Sequence, residues 1–212
     1  MTAVATEPPL RDPLPLFPLH TVLFPGASLG LKVFESRYLD LVSECLRGGW
    51  PFGVVCLDQG AEVGRTQTPV MFASVGVLAR IDEVDAEQTG ILHVRCTGTQ
   101  RFRCIGEARQ ESNGLWVSRA ELMADDPVRV PGPSMLMTVR ALAGAIKTLG
   151  EQGKSPFPEP YRLDDAGWVA NRWCELLPIP VSAKQKLMAL DDPVIRLSLV
   201  DGFLGDKKVV VG

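Results

Sequence analysis

The spacing of hydrophobic and polar positions divides the chain into a mainly period-two part and a helical part. From Leu14 to about Leu122 the dominant period is two. Ala73, Val75, Val77, Ala79 and Ile81 alternate with Ser74, Gly76, Leu78 and Arg80, and Leu92, Val94 and Cys96 alternate with His93, Arg95 and Thr97. Phe102 and Cys104 alternate with Arg101 and Arg103, while Trp116, Ser118, Ala120 and Leu122 form a further row. Successive side chains of a strand point to opposite faces, so each set predicts a sheet with one dry and one wet face. Short strands separated by Gly, Asp and Asn turns predict an antiparallel barrel or sandwich. Leu29–Val33 reads as one more strand. The hairpin expected from the pattern joins Ile91–Gly98 to Arg101–Glu107 across Thr99-Gln100.

One helix interrupts this region. Tyr38, Leu41, Val42 and Cys45 fall at i, i+3, i+4 and i+7, a single apolar stripe, with Gly48-Gly49 as its stop. After Pro131 the period becomes helical throughout. Ser134 is the expected cap of a helix running to about Leu149, where Gly150 ends it. Asp164 or Asp165 caps another through Leu177, stopped by Pro178 and Pro180. Ser182 opens a short helix to Leu190, and Asp192-Pro193 supplies an N-cap with proline at the first helical position. The chain thus reads as α+β. A loose tail covers residues 1–12, a β-rich domain 13–125 and a small helical bundle 133–206, with 152–160 as a loop.

Composition narrows the function classes. Of 212 residues, 46% are hydrophobic and 22% charged, which suffices for a packed core and excludes disorder over the whole length. Lys plus Arg is 22 against 25 Asp plus Glu, a net charge of −3 that disfavours nucleic acid as a partner. The apolar runs around 53–57 and 141–146 are far shorter than the roughly 20 residues of a membrane-spanning helix. The N-terminal stretch lacks the basic start and apolar core of a secretory signal. The five cysteines, Cys45, Cys56, Cys96, Cys104 and Cys174, form no CxxC pair, and only His20 and His93 are available to complete a metal site. A reduced, cytoplasmic protein without metal or cofactor is expected.

Four features resemble chemistry. Gly26-Ala27-Ser28-Leu29-Gly30 matches the GxSxG elbow of serine hydrolases, but that elbow needs a strand-to-helix turn, and a strand follows Ser28 here. Thr148–Ser155 ends like a phosphate-binding loop, yet the leading glycine is Thr148 and Pro156 follows where a receiving helix is required. The carboxylate pairs Asp82-Glu83, Asp125-Asp126, Asp164-Asp165 and Asp191-Asp192 sit at turns or helix starts, where capping is their expected role. Arg95, Arg101 and Arg103 form a local basic cluster expected on a wet sheet face.

The ordered motifs Leu14-Pro15-Leu16-Phe17-Pro18-Leu19, Leu23-Phe24-Pro25-Gly26 and Phe34-Glu35-Ser36-Arg37-Tyr38 resemble the N-terminal domain of the Lon ATP-dependent proteases. The likeness continues through Phe52-Gly53-Val54-Val55, Gly76–Ile81 and Gly98–Arg103. It reaches Leu176-Leu177-Pro178-Ile179-Pro180 and Lys184–Met188, covering residues 13–204. The resemblance implies a PUA-like antiparallel β pseudobarrel followed by a small helical bundle, and a role in recognising unfolded or damaged protein in a bacterial cytoplasm. The chain stops at Gly212, before any ATPase module or Ser-Lys protease site, so a stand-alone, non-catalytic substrate-binding protein is expected. The family-motif residues singled out are Phe17, Pro25, Gly26, Glu35, Arg37, Tyr38 and Arg101. All have structural roles open to them: Phe17, Phe24 and Phe34 as core anchors, Pro25-Gly26 as a turn, Glu35 at the positive end of the helix, and Arg37 paired with a carboxylate or carbonyl.

The leading expectation is a binding module for exposed apolar or extended protein segments, through a groove between barrel and bundle or through an open sheet edge. A separate protease or chaperone is a possible second partner. The alternatives are RNA binding, which PUA-like folds also serve, and a small esterase using Ser28.

Overall fold

In the computed structural model, residues 10–59 and 70–207 are described. The loose tail expected over 1–12 lies outside them as far as residue 9. Contacts divide the chain into two units: one holds Ser28–Met123 and the residues before Phe24, the other holds Phe24–Ala27 and the residues from Ala124 onward.

The β unit contains β1 (Leu14–Leu19), β2 (Ser28–Val33), helix α1 (Ser36–Gly48), β3 (Phe52–Gln59), β4 (Met71–Phe72), β5 (Val75–Gln88), β6 (Ile91–Gln110) and β7 (Trp116–Leu122). β1 carries no polar side chain, and all six of its residues are buried. It runs antiparallel to β7 through Leu14–Leu16 and then parallel to β3 through Leu16–Leu19. That switch closes the ring β1–β7–β6–β5–β3–β1, from which β2 branches off β6 and β4 off β3. The α+β class and the antiparallel pseudobarrel are therefore present.

Leu14, Leu16, Val55, Leu78 and Phe102 form a core cluster. Two glycines make room for it. A Cβ at Gly53 would lie 2.6 Å from Phe102 Cζ, and one at Gly76 would lie 2.4 Å from the Val54 carbonyl oxygen. Phe17, Phe52, Val54, Val77 and Ala79 are buried as well. The stripe predicted for α1 is the one it buries: Tyr38, Leu41, Val42 and Cys45. Gly49 ends that helix at φ 68°, the left-handed conformation that glycine adopts without steric cost.

The expected hairpin at Thr99-Gln100 does not form. β6 runs unbroken through it, and the actual reversal joins β5 to β6 at Thr89-Gly90, with Gly90 at φ 79°. Tight hairpin turns need positive φ, which Gly90 supplies and Thr99-Gln100 resists. Ala79 pairs with Gly98 and Val77 with Arg101, so two steps on β5 oppose three on β6. Thr99-Gln100 is a bulge, which bends the strand locally. Arg101, expected on the wet face, is buried at 4% exposure beside it, while Phe102 stays in the core as its alternation predicts.

The helical unit contains α2 (Leu136–Glu151), α3 (Ala166–Leu176), α4 (Val181–Met188) and α5 (Pro193–Asp206), with a 3₁₀ turn at Pro133–Met135. Ser134 lies inside that turn and caps nothing; the α-helix begins after it, with Met135 at the N-cap position. Asp165 and Asp192 do cap. Asp165 accepts from Gly167 N at 3.0 Å, and Asp192 from Val194 N at 2.8 Å and Ile195 N at 3.2 Å.

Two buried arginines organise this unit. Arg196 donates to Asp126 at 2.6 Å, Asn171 at 3.1 Å and the Leu187 carbonyl at 2.9 Å, and also to the Leu190 carbonyl. Arg172 donates to the carbonyls of Pro25 and Gly26, both at 2.8 Å, pairs with Glu175 at 2.5 Å, and lies over the rings of Phe157 and Trp168. This bidentate grip attaches Phe24–Ala27 to α3.

Candidate functional site

A groove of about 280 Å³ opens along β2. One wall is β1 and the residues after it, with Phe17, Leu19 and Thr21; α1 contributes Tyr38. The other wall is the continuous run from Leu29 to Glu35. No residue of β6 (Ile91–Gln110), the ladder partner of β2, lines it, which places the groove on the other side of the strand. β2 pairs with β6 from Ser28↔Thr97 to Val33↔Leu92, and among the described residues it pairs with no other strand.

The apolar wall is rigid. Phe17 stacks on Tyr38 with ring centroids 4.0 Å apart and also meets Phe52 at 5.9 Å. Arg37 lies over the far side of this stack, 4.6 Å from the Tyr38 centroid. Its guanidinium donates to the Gly114 carbonyl at 2.9 Å and pairs with Glu35 at 3.0 Å. Glu35 occupies the N-cap position of α1 without a side-chain cap bond, so its carboxylate is committed to Arg37 at the groove lip.

Phe34 departs from the sequence expectation. Read as a core anchor, it is 49% exposed and lines the groove. Leu29, Leu31 and Val33 occupy one phase of the strand, and Phe34 falls on the opposite phase, after Lys32. The parity of its position held this signal. Phe17 and Phe24 are buried as expected, at 6% and 0% exposure.

The singled-out residues separate into groups. Phe17, Glu35 and Tyr38 line the groove, and Arg37 braces it from behind. Pro25 and Gly26 belong to the helical unit as carbonyl acceptors for Arg172, and Arg101 is buried in the β unit. The three-arginine cluster does not assemble: Arg101 is internal, and the exposed Arg95 is paired with Glu83. A second, shallow depression of about 450 Å³ is lined by Gly30 to Lys32 of β2, His93 to Arg95 of β6, and Glu83 and Asp85 of β5.

Ser28 opens β2 opposite Thr97, whereas His93 lies opposite Lys32, four residues along and thus about 13 Å away. The two do not form a nucleophile–base pair. Burial pushes the thiols of Cys45 and Cys56 up to about 11, and those of Cys96 and Cys174 up to about 12, so each is protonated at neutral pH and poorly nucleophilic. Among the described residues no group of three or more His, Cys, Asp or Glu is placed to hold a metal ion, and no helix is long and apolar enough to cross a membrane.

Comparison with known proteins agrees with this architecture. The family model of the ATP-dependent protease La (LON) substrate-binding domain matches residues 13–205. A Lon N-terminal domain protein from Xanthomonas campestris is 35% identical, with a TM-score of 0.73 over 90% of this chain and 97% of that one. The N-terminal domain of Mycobacterium avium complex Lon protease shares the fold at 17% identity, with a TM-score of 0.60 over 91% of this chain and 98% of that one. No curated protein matches in sequence. The matched domain is a non-catalytic, substrate-binding one, and the chain belongs to the Lon substrate-binding domain family.

Proposed function

We propose that this chain is a non-catalytic receptor for exposed segments of other proteins, bound in the groove beside β2. The observation that carries the reading is the coincidence of an apolar wall with a strand edge that is unpaired among the described residues. The edge offers backbone hydrogen bonds, and Phe17, Leu19, Leu31, Phe34 and Tyr38 offer surface for apolar side chains. Membership of a substrate-binding family supports it. In this reading the clients are unfolded chains, handed on to a separate protease or chaperone. The free cysteines suit a reducing compartment, and we place the protein in the cytoplasm.

The test is fluorescence anisotropy with a labelled, permanently unfolded protein, its folded parent as control. Saturable binding of the unfolded form alone is expected, with Kd on the order of 1 μM or about −8 kcal/mol. Persistence at moderate salt separates apolar recognition from charge attraction. Equal binding of folded and unfolded forms, or none of either, overturns the reading.

A further inference from the structure

Resting on that reading, we infer that the groove takes its client as an added β-strand on β2, and selects an extended segment with an apolar residue at every second position and an acidic residue opposite Lys32. The first part follows from which residues line the groove. Leu29 to Glu35 line it and no residue of β6 does, so an occupant lies along the strand's other backbone edge. In an antiparallel ladder alternate residues turn their N–H and C=O groups outward. Half of β2 therefore faces the groove with donors and acceptors that pair with no other strand among the described residues. β2 has no proline and no bulge against β6; of the devices that stop a strand edge from pairing it carries one charge, Lys32, which an acidic neighbour on the added strand would offset. Space is open on its polar side too, where a Cβ added at Gly30 would meet nothing within 4 Å.

The second part follows from the two sides of that edge. Leu31 and Val33 face the buried side, while Gly30 and Lys32 are exposed. An added strand inherits this alternation: one set of its side chains meets the Phe17–Tyr38 wall and the other stands beside Lys32. Charge then orders the polar side by distance from the edge. Lys32 is on β2 itself, His93 and Arg95 lie one strand inward, and the acidic Glu83 and Asp85 lie two strands inward on β5. Each strand adds about 4.8 Å, so the acids sit near a Debye length from the edge, and Glu83 is paired with Arg95. Glu35, at the groove lip, is likewise neutralised by Arg37. The field at the edge is set by Lys32 and favours an acidic neighbour.

The experiment uses the whole chain and labelled peptides about eight residues long, enough to span β2. One peptide alternates Leu with Glu, a second alternates Leu with Lys, and a third holds the first one's composition in helical spacing. The unfolded protein of the preceding test is measured alongside. The alternating Leu/Glu peptide is expected to bind, the helically spaced one at least roughly tenfold more weakly, and the Leu/Lys one roughly threefold more weakly at low salt. Lys32→Glu, at an exposed position, is expected to reverse the charge preference. N-methylation of alternate residues of the Leu/Glu peptide is expected to abolish binding in one phase and spare it in the other. Equal binding of the alternating and helically spaced peptides, or insensitivity to both N-methylation phases, overturns the strand-addition inference while the protein-binding reading stands. So does self-association through β2 that leaves every peptide unbound while the unfolded protein still binds. An unchanged charge preference in Lys32→Glu overturns the acidic selection. Failure of the unfolded protein as well as every peptide overturns the underlying reading.

Discussion

In the β unit the core cluster is wholly apolar: Leu14, Leu16, Val55, Leu78 and Phe102 close around the space that Gly53 and Gly76 leave empty. The helical unit builds its interior around two guanidinium groups, with Arg172 and Arg196 at 0% and 1% exposure, where the β unit buries the single guanidinium of Arg101 beside its apolar cluster. Apolar packing is non-directional, so this cluster is held by shape. At the margin of the same unit β2 pairs, among the described residues, with β6 alone. A buried arginine must have its donors aimed at acceptors, so the helical unit is held by direction, down to which carbonyls of Pro25, Gly26 and Leu187 face inward. The difference separates an interior fixed by shape from one fixed by direction.

The sharpest way to break this comparison is Arg196→Met. It removes the guanidinium but leaves Asp126, Asn171 and two carbonyls facing an apolar side chain. Loss of a buried ion-pair partner costs about 3–5 kcal/mol, and the helical unit is expected to unfold at correspondingly lower urea, followed by Trp168 and Trp173 fluorescence. Wild-type stability would show that apolar packing alone holds both units.

Glycine substitutions apply the same contrast inside the β unit. Gly76→Ala places a Cβ 2.4 Å from the Val54 carbonyl oxygen and 2.6 Å from Phe102 Cζ. Overpacking of this kind costs about 1–3 kcal/mol. Gly30→Ala meets nothing within 4 Å, and its melting is expected within about 0.5 kcal/mol of wild type. Matching thermal melts for the two variants would remove the distinction between a packed sheet interior and an open edge.

A smaller effect belongs to Glu175. Burial raises its carboxyl from 4.5 to about 7 against the opposing pull of Arg172 and Lys184. The native state therefore holds a proton that the unfolded chain releases near pH 4.5, and stability from this group falls as pH rises from about 4.5 to about 7. Glu175→Gln is expected to flatten that slope in urea midpoints measured at intervals from pH 5 to 8. An unchanged slope would show that the ion pair with Arg172 keeps the carboxylate ionised throughout.

What was legible in the sequence was local. The α1 stripe needs only helical spacing, and the caps at Asp165 and Asp192 need only a side chain two or three residues from the amides it satisfies. The turn residues of the β5–β6 hairpin are also local, yet the alternation on both sides of Thr99-Gln100 concealed a bulge, because period two looks the same before and after a slip. The grip of Arg172 on Gly26 spans 146 residues, and no pattern near either residue announces it. The groove falls between these cases. Phe17, Glu35 and Tyr38 were drawn from motifs, but their meeting with Leu29–Phe34 depends on β2 pairing with β6 on one side only.

Phe34→Ser is expected to produce the smallest change in stability and is the most direct test of the division between holding and binding. The side chain is half exposed, so its removal is expected to change stability by no more than about 0.5 kcal/mol. It forms part of the groove, so affinity for an unfolded client is expected to fall roughly tenfold, equivalent to about 1.4 kcal/mol. Phe17→Leu makes the opposite comparison, because that ring lines the same groove but is buried between Tyr38 and Phe52. Its stability is expected to drop along with its affinity. Denaturation and anisotropy measured on both variants separate the two roles. A Phe34→Ser protein that binds as wild type would move the client off this edge, and one that unfolds would return Phe34 to the core where its sequence motif first placed it.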